Sequence, residues 1–483
     1  MALTKYDAVV VGSGPNGFAS AITLQRAGLS VLLVEAKATI GGGTRSAELT
    51  LPGFLHDVCS AIHPLAATSP FFKTLPLDKF GLEYIYPPLA AAHPFDDGSA
   101  AVLTNSVEET AGYLGADRQA YIDLMSPIVQ SWPVLATELL APLHFPMHPL
   151  TLAAFGRKAI LPASTLVNKF LSPKAKGFFA GMAAHAIQPL TNAATSAFGL
   201  VLLATGHSGG WPVARGGSQS ISNALAAYFV SLGGVIETNR PIATLNDLPP
   251  AKAIIFDVTP KQLLQIAGEQ FSAFYKWQMK RFVYGMGVFK IDWALNEPIP
   301  FTNADCRLAG TIHLGSTYEE IARGEQQSSD GIIVDKPYVL LAQQSIFDHL
   351  RAPTGKHTAW AYCHVPNGSA TDMTNAIEQQ VERYAPGFMQ TILARHTMNT
   401  IQMEAYNPNF VGGDINGGII NLAQLFTRPV ISFSPYNTPA KGIYIGSSST
   451  PPGGGVHGMC GYYAAKRALK DVFGMAEKVG LAT

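Results

Sequence analysis

Three observations predict an α/β fold in which a nucleotide-binding sheet is interleaved with a second domain. The chain opens on a strand, a glycine-rich turn and a helix, and a second unit of that kind begins at residue 442. At 483 residues it is also too long for one ordinary core, so two intertwined domains are expected. Lys+Arg and Asp+Glu are both 33, which removes the basic excess of a nucleic-acid binder. Charged residues are only 14% and hydrophobic ones 47%, pointing to a large buried interior and an apolar ligand. The four cysteines, Cys59, Cys306, Cys363 and Cys460, stand far apart with no Cys-x-x-Cys. They read as reduced, cytosolic residues, and neither a disulfide framework nor a metal site is expected.

The first unit begins with the β-branched run 6–11, followed by Gly12-Ser13-Gly14-Pro15-Asn16-Gly17 and an alanine-rich helix over 18–27. Gly28 caps that helix, and strand 30–34 ends in Glu35. Gly12 permits the tight turn, Gly14 lets backbone N–H groups approach a pyrophosphate, and Gly17 allows close helix packing. Glu35 stands where a carboxylate reaches a ribose hydroxyl, and it disfavours a 2′-phosphate. This is a Rossmann-like dinucleotide site.

A second glycine cluster follows directly: Ala36-Lys37-Ala38-Thr39-Ile40-Gly41-Gly42-Gly43-Thr44-Arg45. Farther on, Trp211-Pro212-Val213-Ala214-Arg215-Gly216-Gly217-Ser218-Gln219 leads into an amphipathic helix over 221–232, a strand over 235–238 and a returning strand over 253–257. The C-terminal unit reads as strand 442–446, a loop 447–455 rich in glycine, and a helix over 456–472.

Taken together these pieces resemble the phytoene desaturase-like branch of the FAD-dependent amine oxidoreductases. Within it they are most similar to a group named for a pyridine nucleotide-disulfide oxidoreductase domain. The motifs Pro52-Gly53-Phe54-Leu55-His56-Asp57-Val58-Cys59-Ser60, the Phe-Lys-x-Asp-Trp of 289–293 and Trp360-Ala361-Tyr362-Cys363-His364-Val365-Pro366 carry the same resemblance. It covers essentially the whole chain and implies an amine oxidase-type FAD-binding domain interleaved with a substrate domain of mixed or antiparallel sheet plus helical lid. The implied FAD contacts are Gly12, Ser13, Gly14, Pro15, Asn16, Gly17, Glu35, Ala36, Gly42, Gly43, Thr44 and Arg45 at the nucleotide end. Gly446, Ser447, Pro452, Gly454, Gly455, Val456 and His457 follow at the ring end. Backbone N–H groups of 456–459 and the helix dipole would stabilise charge on a reduced ring. Gly43 stands where the group commonly has Arg, and Arg45 comes two residues later.

A disulfide reductase would need a redox-active cysteine pair and a second nucleotide fold. Neither is written here: Gly412-Gly413 and Gly417-Gly418 lie in a loop without a βαβ pattern. Electrons are therefore expected to leave through oxygen, a quinone or another carrier.

The expected FAD-binding domain comprises 1–72, 208–281 and 427–483, and the substrate domain 73–207 and 282–426. Helical patterns dominate 106–140 and 162–205, whereas 282–293, 311–314, 338–343 and 358–364 alternate like strands. The nearly uncharged stretch 139–156 reads as a buried packing surface between domains, with a membrane-contacting lid as the alternative. The longest segment without Asp, Glu, Lys or Arg, 177–214, is broken by Gln188, Pro189, Asn192, Ser208 and Pro212 and does not read as a membrane span. Residues 1–7 do not read as a signal peptide. A cytoplasmic protein is expected, monomer or homodimer, with peripheral contact to the inner membrane as a further expectation.

Hydride abstraction needs a dry pocket, and a general base only where an O–H or N–H proton must also leave. His457 is the first candidate base, inside the glycine-rich loop; His63, His207, His313 and His364 come next, and Asp414 is a candidate for orienting substrate. Three functions stay open: a dehydrogenase, desaturase or isomerase for an apolar small molecule, a flavin amine oxidase, and a non-catalytic FAD-binding scaffold.

Overall fold

The computed structural model describes residues 6–475; the outermost parts of the two terminal segments expected above, 1–5 and 476–483, lie outside them. Five parallel strands form the first sheet, in the order Ile443–Ile445, Ala253–Phe256, Ala8–Val11, Val31–Val34, Val235–Glu237. The middle strands are apolar throughout, as burial on both faces requires. One face carries the helices Pro15–Arg26, Gln219–Ser231 and Met459–Phe473. The other carries Pro260–Ala267 and Ala273–Lys280, through Leu263, Tyr275 and Met279.

The second sheet has seven strands, in the order Ile392–Met398, Gly287–Leu295, His357–Val365, Val339–Ala342, Ala309–Leu314, Leu89–Pro94, Ala100–Leu103. It is antiparallel except where Ala309–Leu314 runs parallel to Leu89–Pro94. Strands of the first sheet come from within 1–72, 208–281 and 427–483, and those of the second from within 73–207 and 282–426. Helices Pro173–Ala183 and Thr195–Gly209 pack over one face of the seven-stranded sheet.

Two expectations are corrected. The C-terminal helix starts at Met459, not at 456, because Gly455 and Gly458 take left-handed backbone angles (φ +125° and +71°) that break a helix. The stretch 139–156 is not a buried packing surface. Phe145 and Met147 are 92% and 82% exposed at its tip. The buried Glu138 carboxylate holds this loop, accepting from the Met147 and His148 N–H groups and pairing with His144 at 2.8 Å. Among the described residues no helix is long and apolar enough to cross a membrane.

The two sheets are joined by a fully buried ion cluster. Arg351 donates from Nη1 to Asp57 Oδ2 (2.7 Å), from Nε to Asp348 Oδ2 (2.8 Å) and from Nη2 to the Ala214 carbonyl (2.9 Å). Burial alone would raise the Asp57 carboxyl, but Arg351 and the hydrogen bonds outweigh it and hold its pKa below the ordinary carboxylate value. Replacing Arg351 by Leu strands two carboxylates in a dry interior. We expect a loss of about 3–5 kcal/mol in urea unfolding at pH 7, partly relieved at pH 5 as the orphaned carboxyls take up protons.

Candidate functional site

A single elongated cavity of about 550 Å3 runs from the first glycine loop to the face of the seven-stranded sheet. At one end, Gly12, Ser13, Gly14, Pro15, Asn16, Glu35, Ala36, Gly42, Gly43, Thr44 and Arg45 line it. Midway the wall is made by Ser447, Gly455 and Val456. These residues, separated by most of the chain, line one cavity.

Gly17, Gly446, Pro452, Gly454 and His457 are not on the wall. Gly17 stands behind it because a Cβ there would lie 1.9 Å from the Gly12 carbonyl oxygen. A Cβ at Gly446 would sit 2.7 Å from the Ala464 methyl, and one at Gly454 3.0 Å from the Asn416 carbonyl oxygen, so both glycines serve packing. His457 is buried, and its Nδ1 accepts the Met459 N–H at 3.0 Å. That ring caps the C-terminal helix.

The glycine turn is braced from within. Glu35 accepts from the Ser13 N–H (3.2 Å) and hydroxyl (2.5 Å) on one oxygen, and from Lys37 N–H (2.9 Å) and Arg45 Nη2 (2.9 Å) on the other. Ser13 Oγ also accepts the Gly41 N–H at 3.1 Å, tying the first glycine cluster to the second. Arg45 is therefore a brace for the acid. A ribose hydroxyl reaching Glu35 would compete with Ser13 for the same oxygen.

Sequence reasoning missed Asp257, at the end of Ala253–Phe256. Its Oδ2 accepts the Gly17 N–H at 2.9 Å and lies 2.6 Å from where a Gly14 Cβ would be. Burial raises its pKa to about 7. The N-cap of helix Pro15–Arg26 is Gly14, which has no side chain to offer, so Asp257 is the side chain that takes a first-turn N–H, and the buried Asn16 Oδ1 has no partner. Its positive end faces the cavity, a ready anion site.

The far end is aromatic: Trp211, Trp360 and Tyr362 line it, with the Trp360 and Tyr362 rings nearly perpendicular (88°) at 5.3 Å, and Phe410 lines the wall with its ring tip 4.0 Å from where a Gly43 Cβ would be. Strand alternation puts Trp360 and Tyr362 on one face, a signal present in the motif itself.

Of the other candidate histidines, His63 lines the cavity. The Ser218 hydroxyl donates to the Ser60 carbonyl, so its oxygen accepts from His63 Nε2–H at 2.8 Å, leaving a buried, unpartnered Nδ1 lone pair. His207 bonds the Tyr121 hydroxyl, and His364 pairs with Glu325 at 2.7 Å; neither is on the wall. His313 is just beneath it, and His185, which no sequence pattern singled out beyond its isolation in an apolar run, is on it. Asp414 closes a turn, accepting from the Gly285, Asn416 and Gly418 N–H groups. Among the described residues no cluster could hold a metal ion. The described cysteines are free, and burial pushes the Cys59 and Cys460 thiols up to about 11 and 12, leaving them un-ionised.

Residues 10–75 match the sequence profile of an NAD(P)-binding Rossmann-like domain. Over 98% of its length the chain is 26% identical to the mouse pyridine nucleotide-disulfide oxidoreductase domain-containing protein 2, covering 94% of that protein. It is 22% identical to one of the limonene dehydrogenase polypeptides of Castellaniella defragrans, over 96% of this chain and 95% of the other. The chain is a homologue of these oxidoreductases. Its fold is that of an oxidoreductase from Methanosarcina mazei (TM-score 0.66, 15% identity, 96% and 99% of the two chains) and of putrescine oxidase (TM-score 0.63, 17%, 97% and 99%). The amine oxidase-type architecture read from the motifs is thus borne out, and the glycine-loop end is a dinucleotide site of flavin or nicotinamide type.

Buried histidines give the fold a pH signature. Burial depresses the imidazoles of His56, His63, His93, His207 and His457 to about 4 and His185 to about 3, with His313 also well below its ordinary value. Folding favours the neutral ring in each. Their stabilisation is complete above the free-imidazole pKa of about 6.5 and is lost as pH falls from there toward 4. The melting temperature is expected to hold from pH 8 to 7 and to drop steeply between 6.5 and 4, measurable by scanning calorimetry across that range.

Proposed function

We propose that the protein is an FAD-dependent oxidoreductase that removes a hydride from an apolar small molecule, with oxygen, a quinone or another carrier as final acceptor. The observation that carries this reading is the continuity of the cavity, charged at the glycine end and aromatic at the other. The glycine end fits a dinucleotide: the first residues of helix Pro15–Arg26 face the space, and Gly42, whose Cβ would lie 3.0 Å from Gly14 Cα, lets the two loops close on each other. Gly12 to Asn16 would hold the pyrophosphate, Glu35 the ribose, and Ser447, Gly455 and Val456 the ring. A bound flavin would supply a two-electron acceptor for hydride. The chain's own contribution is to exclude water with Trp211, Trp360, Tyr362 and Phe410 and to present the neutral imidazole of His63. Similarity to limonene dehydrogenase supports an apolar substrate.

The near-perpendicular Trp360–Tyr362 pair and the putrescine oxidase likeness favour a second reading, amine oxidation. Against it, an amine oxidase commonly presents a lysine-held water at the flavin ring, and the lysine among the described wall residues, Lys37, is at the nucleotide end. Purified protein should be yellow and bleach anaerobically with polyenes or other apolar donors; bleaching by amines alone would select the second reading, and a colourless protein that takes up no FAD would refute both.

Asp257 makes the cofactor affinity pH-dependent. With its pKa near 7 the carboxyl is neutral in weak acid and ionised above, where it repels the phosphates. FAD affinity is expected to weaken roughly fivefold, the factor given by about 1 kcal/mol, between pH 6 and 8.5. Asp257→Asn should flatten that profile in a fluorescence titration of FAD into apoprotein.

The exposed loop carrying Phe145 and Met147 is proposed to touch a membrane surface from which apolar substrate enters. Sedimentation with lipid vesicles checks this: the wild type should pellet and Phe145→Ser/Met147→Ser should stay in the supernatant with its flavin retained.

A further inference from the structure

The floor of the aromatic end is a regular array. Trp360, Ala342 and Thr311 stand side by side on three neighbouring strands, and Tyr362, Leu340 and His313 form the next row on the same face. His93 is on that face too, two residues beyond Ala91, which pairs with Thr311. From above, the short helix Ala184–Ala186 sets His185 on the cavity wall, its Nε2 2.9 Å from His313 Nε2.

The proton positions follow from the neighbours. The Ser316 carbonyl can only accept, so His93 carries its proton on Nε2, 2.6 Å away, and its Nδ1 is a lone pair. His93 Nδ1 and His313 Nδ1 both approach the space a Gly181 Cβ would take, to 2.8 and 3.2 Å. Neither of these Nδ1 atoms has a hydrogen-bond partner, and of the facing Nε2 atoms one donates and the other accepts; with His185 as the donor, His313 Nε2 accepts. His185 is left with one free ring atom, Nδ1, as a bare acceptor. The other titratable groups packed here are Tyr338, whose ring stands 5.9 Å from His313 and which donates to the Gly181 carbonyl, and His364, paired with Glu325.

Two more polar atoms of this wall lack partners, the buried Trp360 Nε1–H, a donor, and Thr311 Oγ1. A hydroxyl, which both donates and accepts, answers a donor and a bare acceptor together. The carboxylates among the described wall residues are Glu35 and Asp257, both at the nucleotide end, so no carboxylate at the aromatic end pairs with an ammonium ion.

We propose that His185 is the acid–base residue of this cavity and that its substrate is an apolar alcohol oxidised at the carbon bearing the hydroxyl. The proposal rests on the flavin reading above for its electron acceptor. The carbinol C–H bond breaks and its hydrogen leaves with the electron pair to the bound flavin. The O–H proton moves to His185 Nδ1, and the C–O bond becomes C=O. His185 then shares its Nε2 proton with His313 Nε2, 2.9 Å away, so the added charge is spread over two rings.

The test uses the protein as purified, with 1-decanol and decane as probes. Binding, followed by tryptophan fluorescence, should favour decanol over decane at least tenfold in the wild type, and His185→Phe should abolish that preference. His185→Gln, which keeps a hydrogen-bonding side chain but cannot carry the proton, should retain most of the preference. It should still lose about 100-fold or more in the rate of anaerobic flavin bleaching by alcohols. Flavin absorbance and circular dichroism establish that each variant is folded and loaded. Equal binding of decanol and decane to the wild type, or an unchanged preference in folded His185→Phe, overturns the proposal. So does bleaching by His185→Gln at the wild-type rate. A wild type without flavin would fail the functional reading alone, since the binding preference is still measurable.

Discussion

The buried Arg351 cluster is the constraint on which the rest of the molecule depends. A guanidinium and two carboxylates out of water are costly unless every lone pair and N–H is used. Here Asp57 accepts from Arg351 and Gln344 on Oδ2 and from the Ser218 N–H and Ser46 hydroxyl on Oδ1, while Asp348 also accepts the Gly216 N–H. Residues 46 and 57 follow the two N-terminal glycine clusters, 216 and 218 lead into helix Gln219–Ser231, and 348 and 351 belong to the other sheet's connections. Charge satisfaction thus sets the relative position of the two sheets. It reaches the cavity as well, because Ser218, held by Asp57, is the residue that fixes the His63 tautomer.

The glycine-rich units at the two ends of the chain are parts of one packing arrangement. A Cβ at Gly461 would lie 1.8 Å from the Asn16 carbonyl oxygen, and the Ser20 hydroxyl donates to the Gly461 carbonyl. The first and last helices are therefore in backbone contact, which brings Ser447 and Val456 onto the same cavity as Gly12. Gly12, Gly14 and Gly17 crowd around one another and Asp257 more than they clear space for a ligand. Glycine here is needed first by the protein's own backbone, and the close approach open to a pyrophosphate follows from it.

Much of the fold was legible because its elements are locally encoded. The parallel strands at 8, 31, 235, 253 and 443 and the strands at 287, 309, 339 and 357 follow from β-branched runs and alternation. Leu89–Pro94 and Ala100–Leu103 were hidden: their alanine-rich sequences have little β-propensity and are strands because they complete the floor. The helix start at Met459 was missed because two left-handed glycines define it, with the His457 ring rather than a Ser, Thr, Asp or Asn taking the Met459 N–H. Asp257 and His185 are single residues whose meaning comes from what tertiary contact sets beside them, which no spacing in the chain records. Stretch 139–156 misled for a related reason: low charge describes a buried surface and an exposed apolar one equally well.

Charge is divided along the cavity in a way that suits hydride chemistry. Glu35, Lys37, Arg45, Arg240 and Asp257 stand at the nucleotide end, where anionic phosphates need position and counter-charge. The aromatic end holds only neutral donors and acceptors, and its histidines are kept uncharged by burial. A fixed charge there would hold water and stabilise the polar ground state of a substrate. Neutral imidazoles cost less to bury and still accept a proton at the moment a hydride leaves, when the positive charge they acquire is matched by the negative charge delivered to the acceptor. Under the proposed reading, permanent charges at one end and a transferable proton at the other would let one cavity hold a charged cofactor and react with an uncharged molecule.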